Sequence, residues 1–277
     1  MNISKHLPTK IFLIVFLFLL FIPLYWMFIG SSQDIHGVMK MPPNLFPHNL
    51  NFKNYQYLLA ENVLIWLKNT IIVVMGTVII SVLLSVTAGY TFSVYTFKYK
   101  KIIWTAYLAQ MMIPRISLLI PLYVIMKHMK LSGTHLAVIF PVVFTPLGVY
   151  LAKNYFDSIP KSIIESARID GANEIQIISK IVAPISKPIV AALSLFAGIG
   201  ALQDYLWQML VLQKVERQTL LVGLMRKAAE RGGLGEMGVN PIGRSFAVGI
   251  LLFLPLLLIF LFANKYFVEG ISGAIKE

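Results

Sequence analysis

The chain has 277 residues, 57 % of them hydrophobic and only 13 % charged, with a mean hydropathy of +0.75. Soluble domains carry about 25 % charged residues, so this composition excludes an ordinary soluble protein, and its apolar richness excludes a disordered one. The net charge of +12 comes without a stripe of basic residues interleaved with aromatics. It therefore reads as the basic ends of membrane spans rather than as nucleic-acid contact, and the absence of cysteine removes disulfides, thiolate metal sites and cysteine nucleophiles.

A bilayer core needs about 20 apolar residues per helix. Six stretches qualify, at 11–29, 69–95, 102–126, 134–152, 188–212 and 245–263, within one transmembrane domain covering 1–277. The first follows Lys5 and Lys10 and has no small-residue cleavage site after it, so it reads as an uncleaved helix rather than a signal peptide. Pro42, Pro43 and Pro47 make a loop before the second. Ser81, Ser85 and Gly89 recur at four-residue spacing in span two, a face of small residues where another helix can pack closely. Pro114, Pro121, Pro141, Pro146 and Pro255 fall in spans three, four and six, where neighbours must satisfy the freed backbone groups. Lys and Arg divide almost evenly between the two sides, and the Lys98, Lys100, Lys101 turn tilts the orientation toward cytoplasmic N- and C-termini.

Residues 158–184 are too polar to cross a membrane, yet they are patterned. Ser162 to Glu165 fits a capping box at a helix start. Ile163, Ile164 and Ala167 can share one face, Asp170-Gly171 signals a turn, and Asn173 can cap a second helix in which Ile175, Ile178, Ile181 and Val182 repeat at helical spacing. This predicts a helix–turn–helix elbow on the membrane surface, serving either as a connector or as a docking element for a soluble partner.

The run Glu165, Ser166, Ala167, Asp170, Gly171, Ala172, continuing to Ile181 and Pro184, resembles the EAA motif of ABC importer permeases. The intervals from Glu165 to Gly171, Gly171 to Ile181 and Ile181 to Pro184 are 6, 10 and 3 residues, as in that motif, with Ser166 in place of an alanine. Ala167-Arg168-Ile169-Asp170-Gly171-Ala172 is similar to the version in carbohydrate-uptake permeases of the MalG-like kind. Met112-Ile113-Pro114, Ser158-Ile159-Pro160-Lys161, Asp204-Tyr205-Leu206-Trp207 and Tyr266-Phe267-Val268-Glu269-Gly270 extend the resemblance over nearly the whole chain. Leu202-Gln203 and Gln208 depart from the Trp-Asn and proline common around the aspartate.

The resemblance implies an all-α, six-span permease of the type I importer kind in a bacterial inner membrane. It implies a second homologous permease, two cytoplasmic ATPases that carry ATP and magnesium, an extracytoplasmic solute-binding protein and surrounding lipid. The elbow would insert into an ATPase cleft, with Gly171 supplying a sharp turn. The implied cargo is a sugar or oligosaccharide.

Within the spans, Arg115 is the costliest residue, about 3 kcal/mol at a helix centre. It should contact an anionic substrate, pair with an acid or the second permease, or snorkel. Asp204 is the one acid inside the predicted spans; Gln203, Tyr205, Trp207 and Gln208 surround it with the apolar faces and polar edges that suit a sugar. These six are the candidate pathway residues. H-E-x-x-H, G-x-S-x-G and P-loop patterns are absent, which leaves no catalytic, metal-binding or ATP-binding residues to assign. The remaining readings are a permease for an acidic saccharide or phosphorylated polyol, a secondary transporter, or an intramembrane enzyme, and only an importer permease explains the elbow.

Overall fold

The computed structural model describes residues 7–33, 37–38, 40, 46, 50–60, 62–229 and 241–275. The proline-rich stretch at 41–47, Phe46 apart, and a glycine-rich stretch at 231–236 lie outside them. In chain order the helices are α1 (Leu7–Ser31), α2 (Lys53–Leu59), α3 (Val63–Val94), α4 (Lys100–Ala109), α5 (Leu119–His128), α6 (His135–Val143), α7 (Pro146–Asp157), α8 (Lys161–Ile169), α9 (Glu174–Ile177), α10 (Ala183–Ile185), α11 (Lys187–Gln203), α12 (Tyr205–Val211), α13 (Leu220–Ala229) and α14 (Pro241–Ile275). A π-helical segment, Ile178–Val182, joins α9 to α10. No strand occurs among the described residues.

The chain divides into two compact units, Met1–Leu64 with Leu220–Leu256, and Ile65–Thr219 with Leu257–Glu277. In the first, α1 exposes its apolar residues 11–22, a surface suited to acyl chains. Its C-terminal end is tied down by polar contacts: buried Asn54 donates to the Ser31 carbonyl at 2.9 Å, and Tyr55 shares a 2.6 Å hydroxyl bond with Ser31. Arg244 and Lys227 both lie over the Tyr57 ring, at 4.9 and 5.3 Å.

In the second unit α3 is long because nothing interrupts it. It holds no proline, and three of its threonines bond back to the preceding turn, as Thr70 does to the Trp66 carbonyl at 2.8 Å and Thr91 to that of Thr87 at 2.8 Å. Ser81, Ser85 and Gly89 are buried along one face, and that face meets α7. A Cβ on Gly89 would stand 2.5 Å from the Ala152 Cβ and 2.8 Å from the Lys153 nitrogen, and a Cβ on Gly148 would stand 2.5 Å from the Ser85 hydroxyl. The small-residue stripe is a helix-packing device.

The stretches expected as single spans at 102–126, 134–152 and 188–212 are each broken. The third bends by 97° between Met112 and Arg115. Ile113 there has extended backbone because Pro114 follows it. The fourth bends by 46° before Pro146, which opens α7. The fifth is interrupted at Asp204, between α11 and α12, and a 72° bend between Ile185 and Lys187 lies just before it. Only Lys10–Ser31 and Val63–Val94 are long and apolar enough to cross a bilayer as single helices among the described residues.

Candidate functional site

The polar segment at 158–184 is folded onto the second unit by one face. Ile164, Ala167, Ile177 and Val182 are buried with Tyr90 of α3, Ala152 and Phe156 of α7, and Ile189 and Leu193 of α11. Tyr90 meets the edge of Phe156 at 5.5 Å between ring centroids. Burial of these apolar side chains contributes about 1.5–3 kcal/mol for each large one, which anchors the segment to the ends of α3, α7 and α11. The buried stripe differs from the expected one. Val182 and half-buried Ile181 pack inward as expected, whereas Ile175 and Ile178 face out and Ile177, outside the expected stripe, is fully buried, with a π-helical turn at 178–182 between the two contacts.

The capping box expected at Ser162 and Glu165 is absent. The helix starts two residues earlier, at Lys161 after Pro160, and Ser162 instead accepts at its carbonyl from the Ser166 hydroxyl at 2.7 Å. A complete capping box sits at the second helix, where Asn173 and Gln176 exchange bonds of 2.9 and 3.0 Å.

Between them the chain turns at Gly171, whose φ is +81°. The Gly171 amide donates to the Arg168 carbonyl at 3.1 Å and that of Ala172 to Ala167 at 3.0 Å, the paired bonds of a Schellman end. Nothing stands within 4 Å of the position a Cβ would take there, so the constraint on Gly171 is conformational and not steric. Gly171→Val is expected to cost about 1–2 kcal/mol of local stability and to raise protease cleavage within 161–182 about tenfold. Limited proteolysis of the purified complex measures this, with cleavage elsewhere unchanged.

The outward surface holds the rest of the motif. Glu165, Ser166, Asp170 and Gly171 are exposed, Ala172 is half-buried, and Ala167 points into the core. Ile169 and Ile175, on either side of the turn, are 86 % and 78 % exposed.

An ion cluster that sequence reasoning missed locks the elbow. Glu174 accepts from the Tyr95 hydroxyl at 2.6 Å and from Arg168 at 2.7 and 3.1 Å, and the Arg168 guanidinium lies 5.8 Å from the Tyr95 ring centre. The Tyr95 hydrogen bond is the largest influence on the Glu174 carboxyl and lowers its pKa; partial burial opposes it and Arg168 adds to it. Its signal was faint, an Arg and a Glu six residues apart across a glycine turn. Nearby, Asp157 pairs with Lys153 and accepts from the Ser93 hydroxyl at 2.7 Å.

The six candidate pathway residues separate into two groups. Arg115, just after the break at Pro114, reaches Asp204, at the break after α11, across 2.9 Å, and so ties two interrupted helices together. The Arg115 side chain is 70 % exposed and that of Asp204 15 %. Gln203 is exposed and Tyr205 half-buried beside them. Trp207 and Gln208 are 1 % exposed and engaged within the protein. The Trp207 indole donates to the Ala137 carbonyl at 3.1 Å, Gln208 donates to that of Ala201 at 2.6 Å, and the Thr219 hydroxyl donates to Gln208. Trp207 packs the core with Val73, Val138 and Val211.

The family model described as binding-protein-dependent transport system inner membrane component matches residues 81–273. The chain is 29 % identical over 273 residues to the arabinooligosaccharides transport system permease protein AraQ of Bacillus subtilis, covering 97 % of this chain and 94 % of that protein. It is 31 % identical to the galactooligosaccharides transport system permease protein GanQ of the same organism, over 91 % of this chain and 88 % of that one. Among solved structures, a chain of a bacterial ABC transporter involved in import of the acidic polysaccharide alginate superposes with a TM-score of 0.81 at 22 % identity, over 96 % of this chain and 99 % of that chain.

Proposed function

Because the chain belongs to the binding-protein-dependent transport system inner membrane component family, we propose that it is the permease subunit of an ATP-driven importer for a sugar or oligosaccharide. It forms half of a translocation pathway with a second, homologous permease. An extracytoplasmic solute-binding protein delivers the cargo, and two cytoplasmic ATPases beneath the membrane bind ATP and magnesium and drive the cycle. Counting the bent pairs at 100–128 and 135–157 and the helix Lys187–Gln203 as one crossing each, together with α1, α3 and the apolar stretch Ile242–Leu258, gives six spans and leaves the polar elbow outside the membrane. An even count puts both termini on one side, and the Lys98, Lys100, Lys101 turn assigns that side to the cytoplasm of a bacterial cell.

The observation that carries this reading is the two-faced elbow. One face is in the core that joins α3, α7 and α11, and the other presents Ile169 and Ile175 almost fully exposed on a polar segment. Large apolar side chains flanking one turn on an otherwise polar surface suit anchors for a docked partner. An ATPase that seats Ile169 and Ile175, with Glu165, Ser166 and Asp170 at the rim, would move Tyr90 and Phe156 with the elbow and so rock the spans.

On the pathway, Asp204 neutralises Arg115. A paired arginine offers a sugar hydrogen bonds without a net charge, which suits a neutral oligosaccharide better than an acidic one. Gln203 and Tyr205 supply further polar edges, while Trp207 and Gln208 support the wall from behind. The relatives named for arabino- and galactooligosaccharides support the same cargo class. The test is uptake of labelled neutral oligosaccharides by cells carrying the whole transporter, against acidic ones of the same length. Faster uptake of the acidic set would overturn the neutral reading. The pair itself is tested by exchange. Arg115→Asp and Asp204→Arg should each slow uptake, and the double variant should recover part of the loss, with a coupling of about 1 kcal/mol, kept small because Arg115 is largely exposed.

A further inference from the structure

We propose that the basic turn between α3 and α4 binds the headgroup of an anionic glycerophospholipid, whose acyl chain lies in the apolar groove beside it. Lys100 and Lys101 at the start of α4 and Lys153 from α7 line one open groove of about 610 Å³, with Tyr99 and Trp104. Lys98 sits at its edge, 5.0 Å from the centre of the Tyr99 ring. The charge is poorly answered from within. One carboxylate, Asp157, pairs with Lys153 and also acts on Lys100; Lys100 donates to the neutral Tyr95 carbonyl at 2.8 Å, and Lys98 and Lys101 are exposed. α4 opens here with no side-chain cap and no acid in its first turn, so its N-terminal amides add to the positive potential.

The surroundings match a lipid rather than a free anion. A second groove of about 370 Å³ meets the first at Phe97 and is apolar, with Leu84, Ala88, Phe92 and Phe144 in its walls. Trp104 stands between the two, 5.0 Å from Phe92 on one side and 5.4 Å from the Lys153 ammonium on the other. A tryptophan with one apolar and one charged neighbour is at home at the level of lipid headgroups. Basic pockets between membrane helices on the cytoplasmic side take anionic headgroups. The Lys100 bond to Tyr95 also ties this site to the residue that holds Glu174, so an occupied site would brace the elbow from its membrane side.

The test uses the permease with its co-purifying chains in phosphatidylcholine vesicles that hold a minor fraction of photoactivatable phosphatidylglycerol or photoactivatable phosphatidylcholine. Phosphatidylglycerol should label residues 97–104 preferentially. Each lysine lost should weaken that labelling about fivefold, so Lys101→Gln falls less than Lys100→Gln with Lys101→Gln, and Lys100→Arg with Lys101→Arg retains it. Lys101 is exposed, so the single variant reports on the site without disturbing the fold. Equal labelling by both lipids, or no change in the glutamine variants, would overturn the proposal. So would loss of labelling in millimolar inorganic phosphate, which would mark a simple anion site, or crosslinks from this turn to a partner chain in place of lipid. None of these outcomes depends on which solute the transporter carries.

Discussion

Gly89→Leu is expected to prevent accumulation of the folded subunit, and Gly89→Ala to leave a folded but heat-sensitive one. The reason is backbone contact. The missing Cβ of Gly89 would overlap Ala152 at 2.5 Å for its Cβ and 3.0 Å for its carbonyl carbon, with the Lys153 nitrogen at 2.8 Å. No rotamer change relieves a clash with backbone, so α3 and α7 must separate, and Ser85 then loses its seat against Gly148. Overpacking of this kind costs about 1–3 kcal/mol for an added methyl and more for a whole side chain. Gly200 in α11 is the control, since nothing stands within 4 Å of its missing Cβ. Gly200→Ala should be neutral or stabilise by about 0.5–1 kcal/mol through helix propensity. Thermal unfolding of the purified complex distinguishes the two glycines.

Ile169→Asp combined with Ile175→Asp is expected to abolish transport while leaving the membrane subunit intact. Both side chains are exposed in this chain, at 86 % and 78 %, so replacing them should change its own stability by no more than about 0.5 kcal/mol each. At an interface the same two residues would be buried apolar anchors. Anchors cost about 2 kcal/mol or more each when lost, which together is about a thousandfold in affinity. Ile177 supplies the opposite case: it is fully buried, and Ile177→Asp should damage the fold before it damages coupling. Uptake and membrane abundance, measured together, tell the two effects apart.

Much of this was legible in the sequence because membranes impose strict patterns. The stripe at Ser81, Ser85 and Gly89 could be read as a packing face because only small residues let helices close up, and α7 is what closes on it. Gly171 was readable because a positive φ after a helix leaves glycine as the usual choice. The breaks within spans three to five were only half legible: Pro114 and Pro146 are visible in the sequence, but proline does not announce whether a helix bends by 46° or by 97°. The register of the second elbow helix was half legible: Ile181 and Val182 pack inward as their spacing predicts, but Ile177 is buried in place of Ile175 and Ile178. Trp207 and Gln208 were read as pathway residues from their chemistry, and the structure buries both; a polar side chain in a span gives no sign of whether its partner is cargo or a carbonyl such as that of Ala201. The pairing of Arg115 with Asp204 was one of several options until the two breaks were brought together.

The central claim is that the surface around Gly171 docks the ATPase. Its most direct measurement is the affinity of the purified ATPase for the solubilised membrane subunits, comparing wild type with the Ile169→Asp, Ile175→Asp variant. The account predicts tight binding to wild type and about a thousandfold weaker binding to the variant, with the companion permease retained by both. Equal affinity for the two, or loss of the companion permease along with the ATPase, would contradict it.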